Sequence, residues 1–263
     1  MVEFYETTII IFLRIFMQKK SYTSSSEISL IISGEHSNPS QIIGQHKINI
    51  EGKEAIIIRG FFSFARDVWI IHNSEKVTKM KKVHKEGFYE AAFPGCNEYF
   101  PYHFRIKDYD EKYYEFKDPY SFPPILSDYD LYLLTEGTHN QSYEKMGAHY
   151  IEIEGIYGVH FAVWAPNAKR VSVLGDFNRW DGRIHPMNNR GTSGIWELFI
   201  PDLKEGETYK YEIKSKYDNQ IYIKSDPYAF YCERPPKSAS IVHNIDKYVW
   251  NDQQWIEKKR TTN

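Results

Sequence analysis

Four short segments of this chain occur twice, in the same order and at nearly constant spacing. Gly87-Phe88-Tyr89-Glu90 returns as Gly194-Ile195-Trp196-Glu197, and Tyr102-His103-Phe104-Arg105-Ile106 returns as Tyr209-Lys210-Tyr211-Glu212-Ile213 with the identical displacement along the chain. Asp118-Pro119-Tyr120-Ser121-Phe122 returns as Asp226-Pro227-Tyr228-Ala229-Phe230, displaced by one position more, whereas Ala65 and Val68 meet Ala168 and Val171 at a slightly shorter displacement. One shared tetrapeptide is chance, but an ordered set is a duplication, so the chain must fold as two similar units of about 100 residues. The drift in spacing places a small insertion between Val171 and Gly194, a stretch that holds Gly175-Asp176-Phe177-Asn178-Arg179-Trp180-Asp181-Gly182.

Each unit reads as strands. Residues 55–71 and 159–174 are short apolar alternations broken by turn residues, the second around Pro166-Asn167, and a long helical period is missing after residue 50. Two all-β, immunoglobulin-like sandwiches in tandem satisfy both pattern and length. The expected division is an N-terminal extension over 1–22, a first sandwich over 23–125, a linker with a short helix near 142–146 over 126–150, a second sandwich over 151–248, and a tail over 249–263.

Several function classes are disfavoured. With 33 basic and 35 acidic residues the formal charge is −2, too little positive field for a protein that grips phosphates, so nucleic acid is not an expected partner. Six Trp, 21 Tyr and 16 Phe are too many for a disordered chain. Cys96 and Cys232 are the only cysteines, which fits a reducing, cytoplasmic setting and leaves no thiolate zinc site. The apolar run 9–17 is interrupted by Arg14 and falls short of the roughly 20 residues a spanning helix needs. It reads as a helix resting on the first sandwich, with no membrane role. The scattered histidines suggest no metal, and no cofactor motif is present.

No acid pair announces catalysis. Asp108, Asp110, Glu111, Asp128 and Asp130 lie among turn residues and read as solvated surface, and the run Lys76, Lys79, Lys81, Lys82, Lys85 reads as a solvated strand and turn. Binding chemistry is more legible. Sugars present flat apolar faces edged with hydroxyls, and an aromatic ring beside Asn, Lys or Asp complements them. Trp180, in a loop of Gly, Asp and Asn, is placed for that role; Trp164, inside an alternating strand, reads as core.

Residues 158–187 (GVHFAVWAPNAKRVSVLGDFNRWDGRIHPM), with 193–242 after them and 118–149 before, closely resemble the N-terminal region of bacterial glycogen branching enzymes. The resemblance implies two β-sandwich modules, the second a family 48 carbohydrate-binding module, ahead of a catalytic (β/α)₈ barrel. Such a barrel needs about 250 residues of its own and its Asp and Glu motifs are missing here, so no catalytic residue is assigned and the chain alone is expected to be inactive. Related glucan-binding modules use a loop tryptophan, a strand lysine, a second tryptophan and a late asparagine. By motif, Trp180, Lys210 and Asn244 match three of these, and the second ring falls near Ile221, which has none. The resemblance therefore implies weak binding of an α-glucan such as glycogen through the second module. It implies a spacer or docking role for the first, and possible assembly with a branching-enzyme barrel from another chain.

Overall fold

The computed structural model describes residues 21–72, 76–247 and 251–261; the apolar run 9–17 lies outside them. The first copy opens with helix α1 (Ser25–Ile32), followed by strands β1 (Gly44–Ile50), β2 (Lys53–Phe61), β3 (Ala65–His72), β4 (Lys76–Lys79), β5 (Lys81–His84), β6 (Phe88–Pro94), β7 (Tyr102–Asp108) and β8 (Tyr113–Phe116). The second opens with α2 (Asp128–Glu136). It continues through β9 (Gly147–Ile153), β10 (Ile156–Trp164), β11 (Ala168–Gly175), β12 (Asn188–Asn189), β13 (Ile195–Pro201), β14 (Thr208–Ser215), β15 (Ile221–Lys224), β16 (Tyr231–Cys232) and β17 (Ser240–Ile241), and α3 (Gln253–Thr261) follows.

Each copy is a sandwich of two antiparallel sheets. The first stacks β1-β2-β6-β5 on β4-β3-β7-β8; the second stacks β12-β13-β10-β9 on β11-β14-β17-β16, with β15 beside β14. Alternate residues face inward as period-2 strands require: Ile56, Ile58, Val68, Ile70, Phe104 and Ile106 fill the first core, and Val159, Phe161, Val171, Val173, Trp196 and Tyr211 the second. Among the described residues the sheets form no barrel.

The duplication reaches further than the sequence motifs. Both units start with a capped helix, Ser24 reciprocating with Glu27 and Ser127 with Asp130, the reciprocal pairing that satisfies two backbone donors at once. In both, a buried glutamate on the inner strand holds the segment that precedes the helix. Glu90 accepts hydrogen bonds from Ser21, the Tyr22 N–H and Thr23, and Glu197 accepts them from the Ile125 and Leu126 N–H groups. Both Asp-Pro-Tyr segments bury their aspartate under a tyrosine hydroxyl, Tyr102 on Asp118 at 2.5 Å and Tyr209 on Asp226 at 2.6 Å. The helix expected near residues 142–146 is a single 3-10 turn, Ser142–Glu144, and the regular helix α2 lies upstream of it.

The copies are bolted together. Helix α1 packs Ile28 and Ile31 against Ile42, Ile43, Phe61 and Phe88, and the turn after it lies on the second sandwich. There Glu35 pairs with Lys169 and Lys214, at 3.1 and 2.5 Å, and the Arg170 guanidinium lies against Gly34. The Tyr120 hydroxyl donates to the Pro186 carbonyl at 2.8 Å, and Lys117 pairs with Asp202 at 2.7 Å.

Candidate carbohydrate-binding site

At the end of β11 the chain enters the inserted loop, residues 176–187. Asn178, buried, takes over the ladder: its amide donates to the Val173 carbonyl at 2.7 Å and its carbonyl accepts the Gly175 N–H at 3.0 Å. The chain then turns through two consecutive left-handed residues, Arg179 (φ 58°) and Trp180 (φ 57°), a conformation that costs a non-glycine residue about 1–2 kcal/mol. The loop returns to pair with the free edge of β11 through Val173 N–H to His185 and Met187 N–H to Val171. Met80 makes the same bond to Val68 in the first copy, so the insertion lies wholly within this loop.

What holds the strained turn is the first module. Arg179 reaches Asp108 at 3.3 Å and the Tyr114 hydroxyl at 3.2 Å, with its guanidinium 4.3 Å from the Phe64 ring centre. Asp181 accepts the Ser63 hydroxyl at 2.8 Å, and Arg183 lies 3.6 Å from Glu86 and 5.5 Å from the Phe61 ring centre. Asp108, expected on the solvated surface, is buried and also accepts the Asp110 and Lys112 N–H groups. The sequence offered no sign of this, because a carboxylate in a turn reads the same whether water or a neighbouring module satisfies it.

Trp180, between them, stays at the surface. It is 40% exposed, its backbone N–H donates to the Gly175 carbonyl, and its indole N–H donates to Asp176 at 2.7 Å. The other two candidates lie at the same end of that sheet. Lys210 is opposite Leu174 on the outer face of β14 and donates to Ser238 at 2.9 Å. Asn244 follows β17, and its backbone N–H donates to Glu205 at 3.1 Å. The register of Gly175 with Tyr209 and of Thr208 with Ile241 brings the three onto neighbouring segments, in the order Trp180, Lys210, Asn244 across the sheet. Ile221 lies half-exposed beside Lys214, offering aliphatic surface and no ring.

Trp164 departs from expectation: it is 63% exposed. Val159, Phe161 and Val163 fill the core, and successive strand residues face opposite sides, so Trp164 falls on the outer face of β10, beside Gly194. Its neighbours on that outer face, His160 and Ala162, are covered, His160 by a 2.9 Å bond to Glu197 and Ala162 by Leu126 and Met146. Burial works against the charge on Glu197, but His160, the Leu126 N–H and Arg190 hold its carboxyl below the ordinary range.

Comparison with known families fits this geometry. Residues 145–229 match carbohydrate-binding module 48 (isoamylase N-terminal domain), and residues 24–120 match the N-terminal domain of alpha-1,4-glucan branching enzyme GlgB. The protein is thus a pair of tandem β-sandwich modules of which the second is a carbohydrate-binding module of family 48. The curated relatives narrow this further. The chain is 43% identical over 238 residues to 1,4-alpha-glucan branching enzyme GlgB of Trichormus variabilis and 45% identical over 241 residues to that of Trichodesmium erythraeum. It is therefore homologous to the N-terminal region of GlgB branching enzymes. These alignments take in 90% and 91% of this chain but only 31% and 30% of the relatives. A crystal structure of pullulanase from Anoxybacillus sp. LM18-11 aligns over 79% of this chain and 28% of its own at 14% identity, with a TM-score of 0.33, too distant to bear on the site. Asn244 lies beyond the carbohydrate-binding match.

Proposed function

We propose that the second module holds an α-glucan chain, a glucose ring stacked on Trp180 with Lys210 and Asn244 hydrogen-bonding its hydroxyls. It thereby retains glycogen for branching chemistry carried by sequence outside this chain. One observation carries this reading: an indole left exposed on a loop whose charged neighbours are engaged, oriented by its own hydrogen bond to Asp176. A ring held this way loses little freedom when a sugar stacks on it, and stacking contributes about 0.5–1.5 kcal/mol beyond buried area. With Ile221 where a second ring would help, affinity is modest. In this reading the protein works in the cytoplasm, with Cys96 and Cys232 outside any disulfide. Retardation in a native gel containing glycogen is expected for the wild type and greatly reduced for Trp180→Ala; an unchanged shift removes the proposal.

A second reading, docking onto a branching-enzyme barrel, is favoured by the repeat itself. In the first copy, Gly34 and Phe61 lie beneath Arg170 and Arg183 of the following module. Their counterparts in the second copy, Gly137 and Trp164, lie open. That face of the second module then receives the next domain in turn. Mixing this chain with the remaining portion of a GlgB relative should restore branching, and Trp164→Glu should abolish the restoration. Branching that is indifferent to the added chain excludes it.

A further inference from the structure

The first module carries an aromatic surface that its sandwich does not require. On the outer face of the β4-β3-β7-β8 sheet, Trp69 is in register with Lys79 on one side and Arg105 on the other; Arg105 is in turn opposite Glu115, and Lys107 opposite Tyr113. Register partners project to the same face, so these side chains form one patch. The Trp69 and Tyr113 rings stack across β7 with centroids 6.3 Å apart and planes inclined by 30°, and Tyr113 is 60% exposed. The patch runs on through His103 and Glu115 into a cleft of about 1060 Å³ between the modules. Tyr99, 61% exposed, also lines this cleft, on a loop that Gln45 pins through both the N–H and the carbonyl of Phe100.

Comparison of the two copies shows what the rings are not for. By the displacements of the flanking repeats, the positions of Trp69 and Tyr113 are held in the second module by Ser172 and Ile221, and that sandwich builds its core without them. There the Lys169 and Lys214 end of the same outer face, beside Ile221, is occupied by the chain itself through Glu35. In the first copy no described residue takes that place.

The charges on the patch select the ligand. Lys79 pairs with Asp67 at 2.6 Å, Arg105 with Glu115 at 2.5 Å, and Lys107 with Glu111. Each cation already has a carboxylate, so a polyanion gains little, while a neutral polyhydroxyl chain finds donors and acceptors of both kinds beside two rings. We infer that this face is a second α-glucan platform, with Trp69 and Tyr113 as stacking rings and the cleft leading to Tyr99 as its continuation. The inference rests on the glucan reading of the second module for its ligand class.

Glycogen affinity electrophoresis and calorimetric titration with maltoheptaose on the full chain test it. Trp180→Ala should leave residual binding, and adding Tyr113→Ala should weaken it by a further factor of roughly 2–10; Tyr113→Phe should not. Should Tyr113→Ala perturb the fold, Tyr99→Ala at the other end is the substitute and should also weaken the remaining binding. Complete loss in Trp180→Ala alone, in a folded chain, overturns this inference and leaves the second-module site standing. Binding unaffected by Trp180→Ala but lost with Tyr113→Ala supports it and overturns the other site. No binding by the wild type overturns both.

Discussion

Asp118 and His185 pull on stability in opposite directions as the medium is acidified. Burial pushes the Asp118 carboxyl up to about 6, against the opposing hydrogen bonds from Tyr102 and the Tyr120 N–H. Its contribution is therefore present below the unfolded value near 4 and lost as pH rises through about 6. Burial draws His185 down to about 4, so its contribution is present above the unfolded value near 6.5 and lost as pH falls through about 4. Each amounts to about 3 kcal/mol, and between pH 6.5 and 4 they largely offset. Asp118→Asn removes one side of the balance. Its unfolding free energy from urea titration should fall more steeply than that of the wild type on going from pH 7 to 4.5, by a difference of about 2 kcal/mol. A wild-type slope would mean that Asp118 is already ionised in the folded protein across this range. Asp226 is raised by burial as well, so the second copy adds to the Asp118 side.

At the scale of elements, the ends of the two helices make an internal control. Gly34 and Gly137 both lie at positive φ, 61° and 71°, where helices commonly end on glycine. A Cβ on Gly34 would meet the Arg170 guanidinium at 3.2–3.4 Å, and one on Gly137 would meet nothing within 4 Å. Alanine at Gly137 should cost about 1 kcal/mol from backbone strain alone. At Gly34 it should cost more, because Arg170 is fixed by Ser172, the Gly182 carbonyl and Glu212 and cannot withdraw. Equal denaturant midpoints for the two variants would show that the α1 turn yields. The strands and their duplication were legible in sequence because alternation and Asp-Pro-Tyr turns act locally. Neither α1 nor α2 was: each is a short run behind a capping box, too brief to show a helical period. Trp164 was misplaced for a different reason, since strand parity puts it on the outer face and only the neighbouring elements decide whether that face is covered. At the candidate site, the exposure of Trp180 was legible in its polar loop. The first-module partners of Arg179, Asp181 and Arg183 lie far back along the chain and left no local trace.

At the scale of the whole molecule, the inserted loop adds a second fastening between two modules already joined through the α1 turn, Lys117 and Tyr120. Arg179→Ala with Arg183→Ala removes the guanidinium–ring contacts to Phe64, Tyr114 and Phe61 and the pairs to Asp108 and Glu86, which together contribute about 1–3 kcal/mol. Calorimetry should then resolve one unfolding transition into two, the first module melting apart from the second. A single unshifted transition would assign the junction to the α1 turn and Tyr120 instead. The same loop places an outward indole between two inward arginines. If a glucan strand is held there as proposed, traction along it passes through the fasteners of the joint into the leading module instead of swinging the trailing one on a hinge.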